Sequence, residues 1–249
     1  MRRITSMIDV CGATYWPCPN MMGLIPSSLP FLKKGLLDLN WLTVRSARHE
    51  YFMSMRPRTY SYGNKMGAME YRSCPFSITV SSLMHQINNT LDVSMNVCFL
   101  NKYDDEHQHL GWHADDFPGM IKEQPIVVVS LGAEREIWLK DKRGFVCREC
   151  AGTGSRTGFM TEDGQFTPEN LCPAGSGTSK HVCPCCKEGW TKAPPGDKQP
   201  HDQRLKLEDG SIFIMPPGYQ DTHLHRIPKH DKKCGWRISL TFRSFEDPQ

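Results

Sequence analysis

Residues 236–243 read Trp-Arg-Ile-Ser-Leu-Thr-Phe-Arg, and this stretch decides the fold. A strand sends successive side chains to opposite faces. Arg237, Ser239, Thr241 and Arg243 therefore share one face, and Ile238, Leu240 and Phe242 the other. The apolar side packs; the polar side carries two guanidiniums into a site. Two cations facing inward need an anion, and a guanidinium offers a bidentate fork to a carboxylate. Further strand signals crowd the second half of the chain at 97–103, 126–131, 136–140, 205–207 and 211–215. Helical spacing is confined to 31–41 and 81–89. The pattern predicts a mainly β fold, a double-stranded β-helix or jelly roll, with a few N-terminal helices.

At 249 residues the chain can bury a core without disulfides, and its net charge of +3 is too small to argue for a nucleic-acid partner by itself. No stretch approaches the ~18 consecutive apolar residues of a membrane span. Met1-Arg2-Arg3 is followed by no apolar leader segment. The eleven cysteines are odd in number and partly arranged in close pairs, which points to a reducing compartment. A soluble intracellular monomer, in cytoplasm or nucleus and with no membrane partner, is the expectation.

Composition divides the chain. Residues 1–50, with Pro17, Pro19, Pro26 and Pro30, read as an N-terminal segment packed on the core. Residues 51–140 and 204–249 form the main domain, opening with a Tyr-, Met- and Arg-rich stretch, 51–76, that reads as loops or a hairpin. Residues 141–203 hold six of the cysteines and no aliphatic periodicity, so they read as an insertion between two strands.

His113 and Asp115 are two apart, so an extended chain aims both at one ion. A second histidine lies downstream, where His223 and His225 share a face and spacing leaves both open. His113 and His225 are 112 positions apart, which falls to 49 once the 63-residue insertion is set aside, a few strands and turns. Two histidines and a carboxylate on one face of an octahedral metal leave three positions free, the geometry of non-haem iron(II) oxygenases. Asn101 and Tyr103 add an inward pair at period two.

Asn101-Lys102-Tyr103, His109-Leu110-Gly111-Trp112-His113-Ala114-Asp115-Asp116, Pro125 to Gly132, Leu207-Glu208-Asp209-Gly210, Gln220, His225-Arg226-Ile227-Pro228 and Arg237 to Arg243 together resemble the AlkB family of iron(II) and 2-oxoglutarate-dependent nucleic-acid dealkylases. The resemblance covers roughly 55–140 and 204–245. It implies that His113, Asp115 and His225 bind Fe(II), with His-x-Ile-Pro favouring His225 over His223. It further implies that Arg237, Asn101 and Tyr103 hold 2-oxoglutarate and that Arg243 supports the site. The implied reaction uses O2 to hydroxylate an N-alkyl carbon on a flipped base of alkylated DNA or RNA, releasing aldehyde and succinate. Pro57-Arg58 and Tyr62-Gly63 resemble the family's nucleotide lid. Arg58 and Tyr62, with Tyr71 as second aromatic candidate, are thus implied to bind substrate. Arg45, Arg48, Arg56, Arg58 and Lys65 would supply phosphate contacts. One departure stands out: Phe117 occupies the position where close relatives carry an acid near the exocyclic group of the base. A hydroxylase of protein or small molecules, and an inactive zinc-dependent nucleic-acid-binding protein, are the competing readings.

In the insertion, Cys147-Arg-Glu-Cys150-Ala-Gly-Thr-Gly and Cys183-Pro-Cys-Cys186 supply two Cys-x-x-Cys knuckles, a set that suits structural Zn(II). Cys172, His181 and Cys185 are alternative ligands. The first octet resembles the zinc-binding repeats of the DnaJ co-chaperones in a single copy. A hairpin is expected around Asp163-Gly164, between Phe159 and Thr167.

Overall fold

The structure is a computed structural model that describes residues 8–17, 29–44, 47–62, 69–142, 145–146, 155–160, 166–168, 179–182, 187, 190–191 and 203–247. The chain divides into two compact units, one of residues 1–139 and 202–249, the other of 140–201. In chain order the first unit begins β1 (Ile8–Val10), β2 (Ala13–Trp16), α1 (Leu29–Leu37), β3 (Leu42–Val44), β4 (Arg48–Ser54), β5 (Thr59–Tyr62), β6 (Met69–Arg72) and α2 (Ile78–Leu91). It continues through β7 (Val97–Tyr103), β8 (Leu110–His113), β9 (Ile126–Gly132) and β10 (Arg135–Asp141). The second unit holds β11 (Phe145–Val146), β12 (Ser155–Met160), β13 (Phe166–Pro168), β14 (Ser179–Val182) and β15 (Trp190–Thr191). The chain then returns with β16 (Gln203–Leu207), β17 (Ile212–Met215), α3 (Tyr219–Thr222), β18 (His223–Ile227) and β19 (Arg237–Arg243).

An eight-stranded sheet runs β1-β2-β17-β9-β19-β7-β4-β3, and a four-stranded sheet runs β16-β10-β18-β8. The protein is mainly β, with the antiparallel sheets of a jelly roll. β19 sits at the centre of the larger sheet between β9 and β7, and all seven of its residues are buried. Its apolar face, Ile238, Leu240 and Phe242, joins Cys98 and Leu100 of β7 and Val127, Val129 and Leu131 of β9 in one cluster. The helices cover that side. Val80, Leu83, Met84 and Ile87 of α2 fall at helical spacing on a single stripe, and Leu32 and Leu36 of α1 join them. Ser77 caps α2 by accepting from the Val80 amide, and Asp92 ends it in the left-handed region.

The opposite faces of the two sheets close on a second cluster. Tyr15, Tyr103, Ile126, Val128 and Phe213 from the large sheet meet Ile137, Leu139, Leu207 and Ile227 from the small one. A row of buried polar side chains crosses this inner face at equivalent register, Glu50, Asn101, Ser239 and Ser130 on β4, β7, β19 and β9. Polar groups in a barrel interior cost free energy unless something pairs with them, so the row marks a site.

The 81–89 helical spacing widens to Ile78–Leu91, and that of 31–41 settles at Leu29–Leu37, with the Trp41 indole donating to the Leu36 carbonyl at 3.0 Å. The 51–76 stretch resolves into the end of β4 and the antiparallel hairpin β5–β6. Within the second unit β12 pairs β13 with Phe159 opposite Thr167, as the hairpin expectation required. Among the described residues no helix is long and apolar enough to cross a membrane.

Gly132 ends β9 opposite Arg237 with φ +91°, and a Cβ there would collide with the Trp236 carbonyl and indole. Gly132→Ala is expected to destabilise the fold by roughly 2–4 kcal/mol, read as a shift of the urea midpoint. Gly235→Ala, whose Cβ meets nothing, should stay within about 0.5 kcal/mol of the parent.

Candidate metal and cosubstrate site

His113 ends β8 and His225 lies on β18, and the two residues are direct cross-strand partners. Beyond them the pairing slips: Ile227 sits opposite Leu110, so three steps along β8 match two along β18. This two-against-one bulge at Gly111 and Trp112 changes the phase of β8. It lets both Leu110 and His113 line the same interior cleft. Asp115 follows the strand and is fixed by its own backbone amide, which donates to Gln220 Oε1 at 2.8 Å.

These three side chains form the one group among the described residues able to hold a metal ion, with ligand atoms within 4.8 Å of one another. His113 Nε2 is 3.6 Å and His225 Nε2 4.0 Å from the Asp115 carboxylate. The ring centroids of the two histidines are 4.1 Å apart. His113 Nδ1 donates to the Gly111 carbonyl at 2.9 Å, which leaves Nε2 as the bare, ligand-ready nitrogen. Burial and the neighbouring His113 push the His225 imidazole down to about 3, and burial likewise lowers His113. Both rings are neutral near pH 7, the state in which imidazole binds metal. Burial alone would raise the Asp115 carboxyl, but Arg243, His225 and His113 together hold it well below the usual carboxylate range. Arg243 Nη2 reaches Asp115 Oδ2 at 2.8 Å, and its guanidinium lies 5.1 Å from the Phe117 ring and 6.0 Å from that of Phe99.

Deeper along β19, Arg237 is 1% exposed and spends one donor on Ser130 Oγ at 3.0 Å. Its Nε and Nη1 and the Tyr103 hydroxyl make no hydrogen bond. Burial pulls the guanidinium down to about 10, with the adjoining Tyr103 opposing, so it stays charged at neutral pH. A fully buried cation with two unspent donors fits an acidic ligand. Asn101 stands nearby on β7, its Oδ1 accepting from Arg48 Nε at 2.9 Å. Arg48 has only donors, so the amide NH2 of Asn101 is left for another partner.

His223 stays apart from the metal group, stacked on Tyr219 at 4.2 Å with Nδ1 2.8 Å from Thr222 Oγ1. Arg58 donates to Ser54 Oγ at 3.0 Å and lies over the Phe245 ring. Arg56 is exposed beside Asp247. Tyr71 is 5% exposed, edge-on to Phe99, with its hydroxyl donating to Glu50. Tyr62 closes β5 opposite Met69; its side chain, Arg45, Lys65 and the cysteines 147, 150, 183 and 186 lie outside the described residues. Arg48 departs from its expected role. It pairs with Glu50 and lines the cleft beside the metal group, so it is unavailable for surface phosphate contact. Sequence reading missed Glu50, although Arg48 and Glu50 are two apart and face the same way as Asn101. The cleft is lined by Phe99, Phe117, His113, Asp115, Arg48 and Glu50 among others.

A jelly roll with two histidines and a carboxylate beside a buried arginine anchor defines a non-haem Fe(II) oxygenase using an oxoacid cosubstrate. The family model described as the 2OG-Fe(II) oxygenase superfamily matches residues 38–243, and the chain belongs to that superfamily. It is 28% identical over 148 residues to the DNA oxidative demethylase ALKBH2 of Arabidopsis thaliana, covering 59% of this chain and 37% of that protein. The match thus spans little more than a third of the relative. The structure of OsALKBH1 aligns with TM-score 0.50 at 16% identity, over 96% of this chain and 100% of that one, a likeness of fold.

Arg243→Met should lower Mn(II) affinity about 10–100-fold and cost roughly 3–5 kcal/mol of stability, since it strands a buried carboxylate. Adding Asp115→Asn should restore most of the stability but not the metal affinity. Metal titration and urea unfolding separate the two effects.

Proposed function

We propose that the protein oxidatively dealkylates N-alkylated bases in DNA or RNA, coupled to conversion of 2-oxoglutarate to succinate. The observation that carries this reading is the aromatic-walled cleft opening directly on the His-Asp-His group. His113, Asp115 and His225 would hold Fe(II), which when bound supplies the oxidation of the alkyl carbon by O2. Arg237, with Tyr103 and the Asn101 amide, binds the distal carboxylate of 2-oxoglutarate; Arg243 keeps Asp115 ionised and in place. Overall, one O2 oxidises the cosubstrate to succinate and CO2 and hydroxylates the alkyl carbon. The resulting hemiaminal then loses aldehyde.

A base must leave its stack to reach a metal at the bottom of this cleft. Phe99 and Phe117 supply apolar walls for it. With Phe117 at the position where close relatives carry an acid, the carboxylate within the cleft outside the His-Asp-His group is Glu50, clamped by Arg48 and Tyr71. We assign to Glu50 the recognition of an N–H edge. Residues 51–76 serve as the nucleotide lid, with Arg58 and Tyr62 as its substrate-binding residues and Tyr71 acting through Glu50. Residues 51–140 and 204–249 are the catalytic domain, and β1, β2 and β3 from the first 50 residues complete its large sheet. The insertion, 141–203, binds Zn(II) through Cys147, Cys150, Cys183 and Cys186, because so little apolar surface leaves metal binding to replace a core.

Purified protein with Fe(II), 2-oxoglutarate, O2 and an oligonucleotide carrying 1-methyladenine or 3-methylcytosine is expected to yield the unmodified base and succinate. His113→Ala should be inactive, and Arg237→Gln should raise the KM for 2-oxoglutarate. Robust oxoacid turnover driven by a protein or small molecule, with the methylated oligonucleotide untouched, overturns the reading. Elemental analysis should find about one zinc per chain, falling on Cys147→Ser; zinc-free protein would remove the four-cysteine assignment.

A further inference from the structure

We propose that the outer face of the four-stranded sheet is a second contact surface for the substrate strand, gripping its phosphodiester backbone outside the catalytic cleft. The proposal rests on the nucleic-acid reading above. It begins from strand alternation. His225 and Ile227 of β18 point inward, so Arg226 points out; Ile137 and Leu139 of β10 point inward, so Trp138 points out. The bulge turns Trp112 outward beside Arg226, and the β10–β16 register sets Arg204 opposite Trp138. The four side chains stack across all four strands in the order Arg204, Trp138, Arg226, Trp112. Their guanidinium-to-ring distances are 3.9, 4.0 and 4.8 Å.

Neighbouring strands lie about 4.8 Å apart, so the two guanidiniums flank opposite faces of the Trp138 indole, itself held by its N–H bond to Glu136 at 2.7 Å. A guanidinium laid flat on an aromatic ring keeps its N–H groups in the plane, where they can fork onto a phosphate. The ε nitrogen of Arg226 is buried within the stack without a hydrogen-bond partner, so the outer edge of the guanidinium is what a phosphate would meet. Beside the stack a cleft is walled by the loop after β18 and brings Lys229 and Lys232 next to Arg204. One of its acids, Glu134, is paired with Lys206, whereas Glu136 accepts from the Trp138 indole and keeps its charge. Arg204, Arg226, Lys229 and Lys232 still outnumber Glu136 and Asp231. Cations with aromatic planes between them, on the reverse side of the strand that carries His225, fit the backbone of a strand whose base enters the catalytic cleft.

The test measures binding of an unmodified single-stranded 20-mer by fluorescence anisotropy across a salt series. It compares Arg204→Gln, Lys229→Gln and the double variant, with Arg226 retained because it adjoins His225. The double variant should bind about tenfold more weakly and lower the salt slope by about 1.4, two phosphate contacts on a single strand. Its KM should rise on a methylated 20-mer and stay unchanged on a methylated trinucleotide. An unchanged affinity and slope, or equal losses on long and short substrates, overturns the proposal. Binding of a poly-glutamate peptide in place of the 20-mer also overturns it, in favour of a protein partner. Should Arg204→Gln fail to fold, Lys229→Gln, outside the stack, carries the same comparison with a slope change of about 0.7. Parent protein that repairs no methylated oligonucleotide, yet binds the 20-mer in a way the variants lose, removes the proposed function and leaves the surface.

Discussion

Asp115 and Arg243 are each about 5% exposed and meet at 2.8 Å, and the order of the site depends on this contact. Asp115 lies past the end of β8, where no ladder holds it, so its position comes from Arg243 and from the bond of its amide to Gln220. A buried carboxylate without a partner would protonate or drag the loop toward water. With Arg243 beside it the carboxyl stays ionised, while burial keeps both histidines neutral. Each donor thus stands in its metal-binding protonation state near neutral pH. The guanidinium in turn is wedged near Phe99 and Phe117, which joins the end of β19, the loop after β8 and the aromatic wall into one packed unit.

The larger constraint is that β19 is a central strand buried on both faces. Its apolar side is satisfied by the helix layer and by β7 and β9. Its polar side cannot be satisfied by the fold alone. Arg237 finds Ser130 for one donor and leaves two unspent, and desolvated cations of this kind are retained where a ligand completes them. Barrel strands usually alternate core with solvent. Here the alternation is core with the proposed cosubstrate pocket, and the stability given up on the inner face is offset by two helices packed on the outer one.

What could be read from the sequence follows the same logic. β7, β9 and β19 were legible because apolar residues recur at period two on their helix-facing sides, and the period-two polar residues on β19 pointed to a ligand. β4 was not, because Arg48 and Glu50 break the apolar pattern where the strand faces the cleft, and a strand that serves a site looks like a loop. Tyr71 reads as an available aromatic in a polar stretch, yet β6 turns it beneath Glu50 and Phe99. Arg48 reads as a surface cation for the same reason. The choice between His223 and His225 was beyond spacing, since both share a face. It is settled by α3, where Tyr219 and Thr222 engage the first and leave the second to partner His113. No local signal announces the β8 bulge except Gly111, whose missing side chain is compatible with many other roles.

That bulge does more than aim one histidine. In a regular strand Leu110 and His113 would face opposite ways; the extra residue brings both inward and turns Trp112 out against Arg226. His113 and Trp112 are therefore covalent neighbours on one strand, His225 and Arg226 on the next, and the two pairs are locked in the same register. A strand of nucleic acid held on the proposed outer surface would engage residues whose backbone positions also set both histidines of the candidate metal group. The link between that surface and the metal group needs no chain of intermediates: it is one antiparallel pair of strands, with ligands on one side and guanidinium–indole contacts on the other.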